Sequence, residues 1–264
     1  METTTMSELV LIERDAYDIK GAVRLTLNRP DAFNALSESM LEALERALKD
    51  IAESDARVVV LAGEGRAFCA GHDLKEMRAE PALDYYRELF AHCSRIMLTI
   101  QRMPQPVIAR VQGIATAAGC QLVAMCDLAV ASSEARFAVS GVNLGLFCAT
   151  PSVALSRNVS RKAAFEMLVT GEFIDAATAR ERGLVNRVAS PGELDDTVRT
   201  LAATIAAKPR EAVAAGKGLF YRQLETGIEA AYALASETMA CNMMHDATLE
   251  GTQAFIEKRA PRWK

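Results

Sequence analysis

The sequence predicts an α/β fold in which repeated strand-helix units build a parallel-rich core, followed by a helical C-terminal region. Three observations predict it. Short apolar runs at residues 57–61, 107–111 and 128–131 each follow a segment whose apolar residues recur at helical spacing, the alternation that builds parallel sheets. Pro104 and Pro106 stand between one such segment and Val107, so helix and strand are punctuated rather than continuous. From Ser160 onward the reading is almost wholly helical. A chain of 264 residues is long enough for one large core with an appendage, and the expected division is residues 1–200 and 201–264.

Residues 9–13 and Ala22–Leu27 are strand-like, and the Leu27-Asn28-Arg29-Pro30 end breaks the second run. Ser37 is the expected N-cap of a helix whose Met40, Leu41, Leu44, Leu48 and Ile51 share one face, with Glu42, Glu45, Lys49 and Asp50 on the other. That helix returns the chain to the strand at 57–61. The next helix spans Leu83–Arg102 with Leu89, Ile96 and Ile100 inward, and leads to a buried strand at Val107–Val111. The glycine- and alanine-rich loop 113–120 opens a short apolar helix to Met125, after which Asp127 precedes the run 128–131. Later helices open at Ser160-Arg161-Lys162, at Asp175 as a cap, and at Pro191 and Pro209. The last is expected from about residue 235 to 258. Its basic tail, Lys258, Arg259, Arg262 and Lys264, suits a solvated helix C-terminus.

Composition excludes several functions. A net charge of -4 gives no electrostatic footprint for nucleic acid or an anionic membrane. No stretch approaches the roughly 18 to 20 apolar residues of a membrane span, and METTTMSEL at the start lacks the basic and apolar regions of a secretory leader. A soluble cytoplasmic protein is therefore expected. The six cysteines, Cys69, Cys93, Cys120, Cys126, Cys148 and Cys241, form no CxxC pair, so buried reduced thiols are expected. His72, His92 and His245 are too dispersed for a metal site, and Gly216-Lys217-Gly218 lacks the strand and glycine spacing of a phosphate loop. Neither a metal nor a nicotinamide cofactor is expected.

Residues 63–74, GEGRAFCAGHDL, place a turn of small residues directly after Val58, Val59, Val60 and Leu61. Such a segment offers peptide N–H groups and few side chains. Its partner is the loop 113–120, GIATAAGC, which begins a helix whose first N–H groups lack intrahelical acceptors. Two N–H groups converging on one carbonyl oxygen would form an oxyanion hole, in which one donor is worth about 2.7 to 4 kcal/mol of transition-state stabilisation. Small residues after a strand also serve close packing, and the pattern alone leaves both readings open.

LNRPDAFNAL at 27–36, GEGRAFCAGHDL at 63–74, VQGIATAAGCQLVAMCDLAVAS at 111–132 and GEFIDAATARERGLVNRV at 171–188 together resemble the enoyl-CoA hydratase/isomerase, or crotonase, superfamily over nearly the whole chain. The resemblance implies a crotonase (ClpP-like) spiral of strand-helix turns with a C-terminal helical trimerisation region. It further implies a homotrimer or a hexamer made as a dimer of trimers, and an acyl-CoA or enoyl-CoA thioester as ligand, with no separate cofactor. By position the oxyanion donors are the backbone N–H groups of His72 and Ala118. Arg29, Ala70, Asp73, Leu74, Phe255 and Lys258 fall at positions that contact coenzyme A, while Asp31 stands where the family often has a phosphate-binding lysine.

Two departures bear on the reaction. The hydratases hold and add water with two glutamates, and those positions here are Gln121 and Gly141. A glutamine amide can orient water or substrate but has no useful pKa, and glycine supplies no group. The spacing within ARFAVSGVNLGLFCATP is otherwise kept, and GLFCATPSVAL resembles the enoyl-CoA hydratase domain-containing subgroup, which also lacks the paired glutamates. The expectation is a protein nominally an enoyl-CoA hydratase of fatty-acid metabolism that polarises a thioester but hydrates weakly. The alternative is a non-catalytic acyl-CoA-binding or assembly subunit. His72, Glu76, Tyr85, Tyr86, His92 and Cys148 are the titratable groups in segments that line the pocket of relatives. Each also has a bland reading: the His72 imidazole turned to solvent or coenzyme A, Cys148 an inert buried thiol, the others surface or packing groups. Met77 and Met97 suit an acyl tunnel or plain core packing equally.

Overall fold

The computed structural model describes residues 9–79 and 81–263. Met1 to Glu8, on which the leader argument rests, and Lys264 of the basic tail lie outside the described residues. The first hairpin pairs β1 (Val10–Arg14) antiparallel with β2 (Ala22–Leu27). β3 (Val58–Gly63), β5 (Val107–Val111), β7 (Leu128–Ser132) and β10 (Arg187–Ala189) then add in parallel, giving the order β1-β2-β3-β5-β7-β10.

The helices between these strands cover the sheet. Ser37 Oγ accepts from the Met40 amide at 3.1 Å and caps α1 (Glu38–Ala52), whose Met40, Leu41, Leu44, Leu48 and Ile51 are buried. With α3 (Leu83–Arg102), α1 packs on the face of β3 that presents Val59 and Leu61. Val58 and Val60 point the opposite way and meet Leu194, Val198 and Ala202 of α8 (Leu194–Ala206). Alternate side chains on a strand take opposite faces, so a strand covered on both sides reads as one unbroken apolar run.

A second sheet escapes the sequence reading. Three of the internal strands of this sheet are each followed within a few residues by a strand of three: β4 (Ala67–Cys69) after β3, β6 (Ile114–Thr116) after β5, and β8 (Arg136–Ala138) after β7. These three pair in parallel, and β9 (Ile174–Asp175) closes the edge antiparallel to β8. One turn of the spiral thus gives one strand to each sheet and then a helix. The helices are α2 (Leu74–Ala79) after β4, α4 (Ala118–Met125) after β6, and α5 (Ala149–Asn158) with α6 (Arg161–Thr170) after β8. Asp175 Oδ1 caps α7 (Ala176–Glu181) by accepting from the Thr178 amide at 2.8 Å.

α9 (Arg210–Leu224), α10 (Ile228–Met243) and α11 (Asp246–Ile256) complete the chain. The single final helix expected over 235–258 is two helices, because the chain turns at Met244 and His245 before restarting. α9 is tied to the core by Lys217. Its Nζ donates to the Ile100 carbonyl at 2.8 Å, the Gln105 carbonyl at 2.8 Å and Asp127 Oδ2 at 2.7 Å. Asp127 also accepts from the Val107 amide and the Tyr221 hydroxyl. Burial lowers the Lys217 pKa, and the Asp127 carboxylate opposes that effect. Among the thiols, Cys69, Cys93, Cys120, Cys126 and Cys148 are buried as expected, but Cys241 is exposed on α10.

Removing one partner of a buried ion pair strands the other charge, at about 3 to 5 kcal/mol. Asp127→Ala is therefore expected to lose that much stability in urea unfolding, more than Asp127→Asn, which keeps an acceptor for Lys217.

Candidate active site

The chain leaves β4, β6 and β8 at the same end of the small sheet. Because these strands are parallel neighbours, residues that follow them are brought side by side: Ala70 to His72, Ala117 to Ala118, and Ser140 to Gly141. All except Gly71 line one cavity of about 210 Å³. Met77, Phe90, Leu144, Leu146 and Phe147 supply half of the remaining wall residues, and the wall is largely apolar.

The turn leading into β4 is held from outside by two side-chain amides. Asn34 Nδ2 donates to the carbonyls of Glu64, Ala67 and Phe68, and Gln112 Nε2 donates to those of Gly63, Gly65 and Ala67. Asn34 itself sits at φ 54°, a left-handed conformation that asparagine tolerates. Leu36 then grips the far end of the segment. Its amide donates to Gly71 O at 2.8 Å and its carbonyl accepts from Asp73 N at 3.2 Å. In a parallel bridge this pattern turns the intervening His72 N–H the other way.

The Ala118 amide is set by a strained residue. Ala117, between β6 and α4, has φ 50° and ψ -120°, a conformation that costs on the order of 1 to 3 kcal/mol for a residue with a Cβ. Gly71, at φ 91°, lies against this turn. A side-chain carbon at position 71 would stand 3.2 Å from Ala118 N and 3.1 Å from Thr116 O. Among the described residues no carbonyl accepts from the His72 or Ala118 amide. Two free backbone donors thus share one cavity wall, and such a pair can stabilise an oxygen that gains charge.

The side chain of His72 corrects one of its two expected placements, the one towards solvent. Rather than turning to solvent, the imidazole packs edge-on against Phe90, with ring centroids 5.5 Å apart, and neither ring nitrogen has a hydrogen-bond partner among the described residues. Burial lowers its pKa to about 4; the nearby Leu36 carbonyl opposes the shift without making a full hydrogen bond. The ring is therefore neutral at pH 7.

Gln121 lies one turn along α4 from Ala118, only 5% exposed, with Oε1 unpaired among the described residues, and it is not in the cavity wall. Gly141 is in the wall, and the reason no carboxylate stands there is steric. A Cβ at 141 would lie 2.5 Å from the Leu146 carbonyl oxygen and 2.7 Å from Cys148 Sγ. Cys148 also lines the cavity, and its sulfur accepts from the Gly141 amide at 3.3 Å. Ser140 is held by Thr116, hydroxyl to hydroxyl at 2.9 Å.

Of the positions aligned with coenzyme A contacts, Ala70 and Leu74 line the cavity. Arg29 Nη1 and Asp73 Oδ2 form an ion pair with each other at 2.7 Å. Burial raises the Asp73 pKa, but the Arg29 hydrogen bond and the Lys75 and Glu76 amides outweigh it and hold the carboxyl below its usual range. Phe255 and Lys258 stand apart from the cavity, Phe255 fully displayed on α11. Met77 reaches the cavity, whereas Met97 is core. Glu76 accepts from the Glu38 amide, Tyr86 donates to the Met77 carbonyl, and His92 pairs with Glu45, so none of the three points to the cavity. Tyr85 packs beside Tyr86. The sequence reading missed Phe90, Leu144, Leu146, Phe147 and Thr150 in the wall, and Asn34 and Gln112 behind it. The asparagine had a signal, its place after the proline turn in LNRPDAFNAL. Among the described residues no group of three acidic, histidine or cysteine side chains could hold a metal ion.

A two-sheet spiral that carries paired free amides at the ends of adjacent parallel strands defines the crotonase fold class. The chain belongs to the enoyl-CoA hydratase/isomerase family, whose profile matches residues 19–264. It is similar to the crystal structure of an enoyl-CoA hydratase from Mycobacterium smegmatis, with 66% identity, a TM-score of 0.94 and coverage of 97% of this chain and 98% of that one. The crystal structure of human enoyl-CoA hydratase domain-containing protein 3 is 44% identical, with a TM-score of 0.92 over 97% of this chain and 100% of that one. A curated relative from Rattus norvegicus, "Enoyl-CoA hydratase domain-containing protein 3, mitochondrial", is 46% identical over 92% of this chain and 81% of its own length. That the rat and human relatives are named as mitochondrial proteins overturns the expectation of a cytoplasmic one. The expectation rested on a missing leader pattern, which is no positive signal for any compartment.

Two outcomes follow from this geometry. Inserting a methyl group against fixed neighbours typically costs about 1 to 3 kcal/mol, so Gly141→Ala is expected to lower the thermal midpoint, and Gly141→Glu to lower it further without rebuilding a hydratase site. The His72 imidazole titrates at about 6.5 when unfolded and about 4 when folded. Between these values the unfolded chain binds more protons, so stability falls as pH drops through the window and its contribution is complete above it. The loss is on the order of 3 kcal/mol. Urea midpoints at pH 7 and 4.5 are expected to converge in His72→Phe.

Proposed function

We propose that this protein binds the thioester of an acyl-CoA with its carbonyl oxygen between the amides of His72 and Ala118, and stabilises the enolate that forms when the neighbouring carbon loses a proton. One observation carries this reading: two unpaired backbone donors line an apolar cavity that a short acyl chain would fill. The names of the relatives support an enoyl-CoA as ligand. Coenzyme A itself is part of the substrate, so no separate cofactor is needed, and fatty-acid metabolism is the setting that fits.

Hydration is a minor activity in this reading. No carboxylate lines the cavity among the described residues, and Gln121 lies outside it. A positioned acid or base contributes about 100- to 10,000-fold each. The alternative, a binding subunit without turnover, fits less well because the cavity holds an imidazole and a thiol beside the amide pair. The exposed apolar residues of the last two helices, Ile228, Tyr232, Met239, Phe255 and Ile256, support a homotrimer or a dimer of trimers built through residues 201–264. In such an assembly Phe255 and Lys258 would reach coenzyme A across or near that interface.

Calorimetry with butyryl-CoA is expected to show binding, and the bound thioester carbonyl stretch to move to lower frequency in difference infrared spectra. Loss of crotonyl-CoA absorbance is expected to run at least 100-fold slower than in a relative with both glutamates. Robust hydration, or no binding of butyryl-CoA, would overturn the proposal.

A further inference from the structure

The fold leaves one acid-base group in the cavity that neither the motif pattern nor the missing glutamates account for. We propose that the Cys148 thiol is the proton-transfer group of this site, exchanging the proton on the carbon next to the thioester carbonyl. The proposal rests on the acyl-CoA reading above and assigns the residue that reading lacks.

Gly141 stands at the position where hydratases carry a carboxylate. Its missing side chain has not left a void. Cys148 Sγ stands 2.7 Å from where the first side-chain carbon would be, and the Gly141 amide donates to that sulfur at 3.3 Å. The thiol and the Leu146 carbonyl oxygen together crowd the root of the absent side chain, and the thiol lies in the same cavity wall as His72 and Ala118. Its backbone position adds a second effect. Cys148 is the N-cap residue of α5, a helix of ten residues, and the positive end of the helix dipole favours a thiolate there.

The other polar groups of the wall are less suited. The His72 imidazole is held neutral and weakly basic by burial, with its pKa lowered to about 4. The Ser140 hydroxyl is engaged by Thr116, and no hydroxyl, including that of Thr150, is a base at neutral pH. Burial raises the Cys148 pKa, and the Gly141 amide opposes the shift. A raised pKa makes the thiolate scarcer and also a stronger base, the property needed to remove a proton from carbon.

The step balances without a further reagent. The thiol loses its proton to solvent at the open side of the cavity. The thiolate then takes the proton from the carbon beside the carbonyl. The C–H electron pair becomes the carbon-carbon double bond of the enolate, and the carbonyl π pair moves onto oxygen, where the two amides stabilise it. In the return direction the S–H proton goes back to carbon and the carbonyl re-forms.

The test is deuterium uptake into butyryl-CoA in heavy water, followed by mass spectrometry, with binding measured in parallel by calorimetry. Cys148→Ser keeps an acceptor for the Gly141 amide but replaces the thiol by a group that does not ionise at neutral pH. It is expected to bind butyryl-CoA within about twofold of wild type and to exchange about 100-fold more slowly. Should that variant fail to fold, reversible capping of wild-type Cys148 with methyl methanethiosulfonate, mapped by peptide mass, is expected to abolish exchange and reduction to restore it. Wild-type exchange undiminished by either change would overturn the proposal. Binding without any exchange in the wild type overturns this inference alone, whereas absence of binding overturns the acyl-CoA reading as well.

Discussion

The parallel pairing of β4, β6 and β8 is the constraint on which the site depends. Each strand has only three residues, too few to be stable alone, and each is anchored by a longer strand preceding it in the large sheet. The large sheet supplies the buried apolar area that orders the fold. The small sheet spends that order on position, since parallel neighbours must release their chains at the same edge. Ala70 to His72, Ala117 to Ala118 and Ser140 to Gly141 are adjacent for this reason, although they are separated by up to about seventy residues in the chain.

Polar side chains behind the cavity then fix what strand pairing leaves loose. Asn34 and Gln112 each bind three carbonyls of the 63–68 turn, so the buried carbonyls of Ala67 and Phe68 are paired. The unpaired amides of His72 and Ala118 are the exception, and the strain at Ala117 belongs with them. A site that stabilises charge with fixed dipoles needs donors that do not reorganise during the reaction. Rigid carbonyl pairing on one side of the segment and free N–H groups on the other meets that need.

The large sheet, α1 with its Ser37 cap, and α3 were legible because apolar periodicity and proline punctuation are local signals. The small sheet was not, because three residues such as Ile114-Ala115-Thr116 contain no period to detect. The final helix was misread as one because nothing at Met244 and His245 breaks helical periodicity by composition. In the site, the segments carrying the amides could be read from their small residues and from the family resemblance. The orientation of the His72 ring could not, since it depends on Phe90, eighteen residues away in sequence. The wall formed by Leu144, Leu146 and Phe147 was equally hidden, because it follows from how the chain turns after β8. The fate of Gly141 was half visible. The sequence showed a missing carboxylate, but only the packing showed a thiol and a backbone carbonyl crowding its place.

The buried thiols have a consequence of a different kind. Cys69, Cys93 and Cys120 are sealed in the interior, where burial pushes their pKa values up to about 12, and Cys126 is shifted in the same direction. An alkylating reagent meets none of them while the fold is closed, and meets all of them as ordinary thiols once it opens. They lie on the strands and helices around α4, so their modification rates would record how often this region opens as a unit. The molecule thus carries its own chemical clock for opening, with the exposed Cys241 as the internal standard against which the four silent positions can be timed.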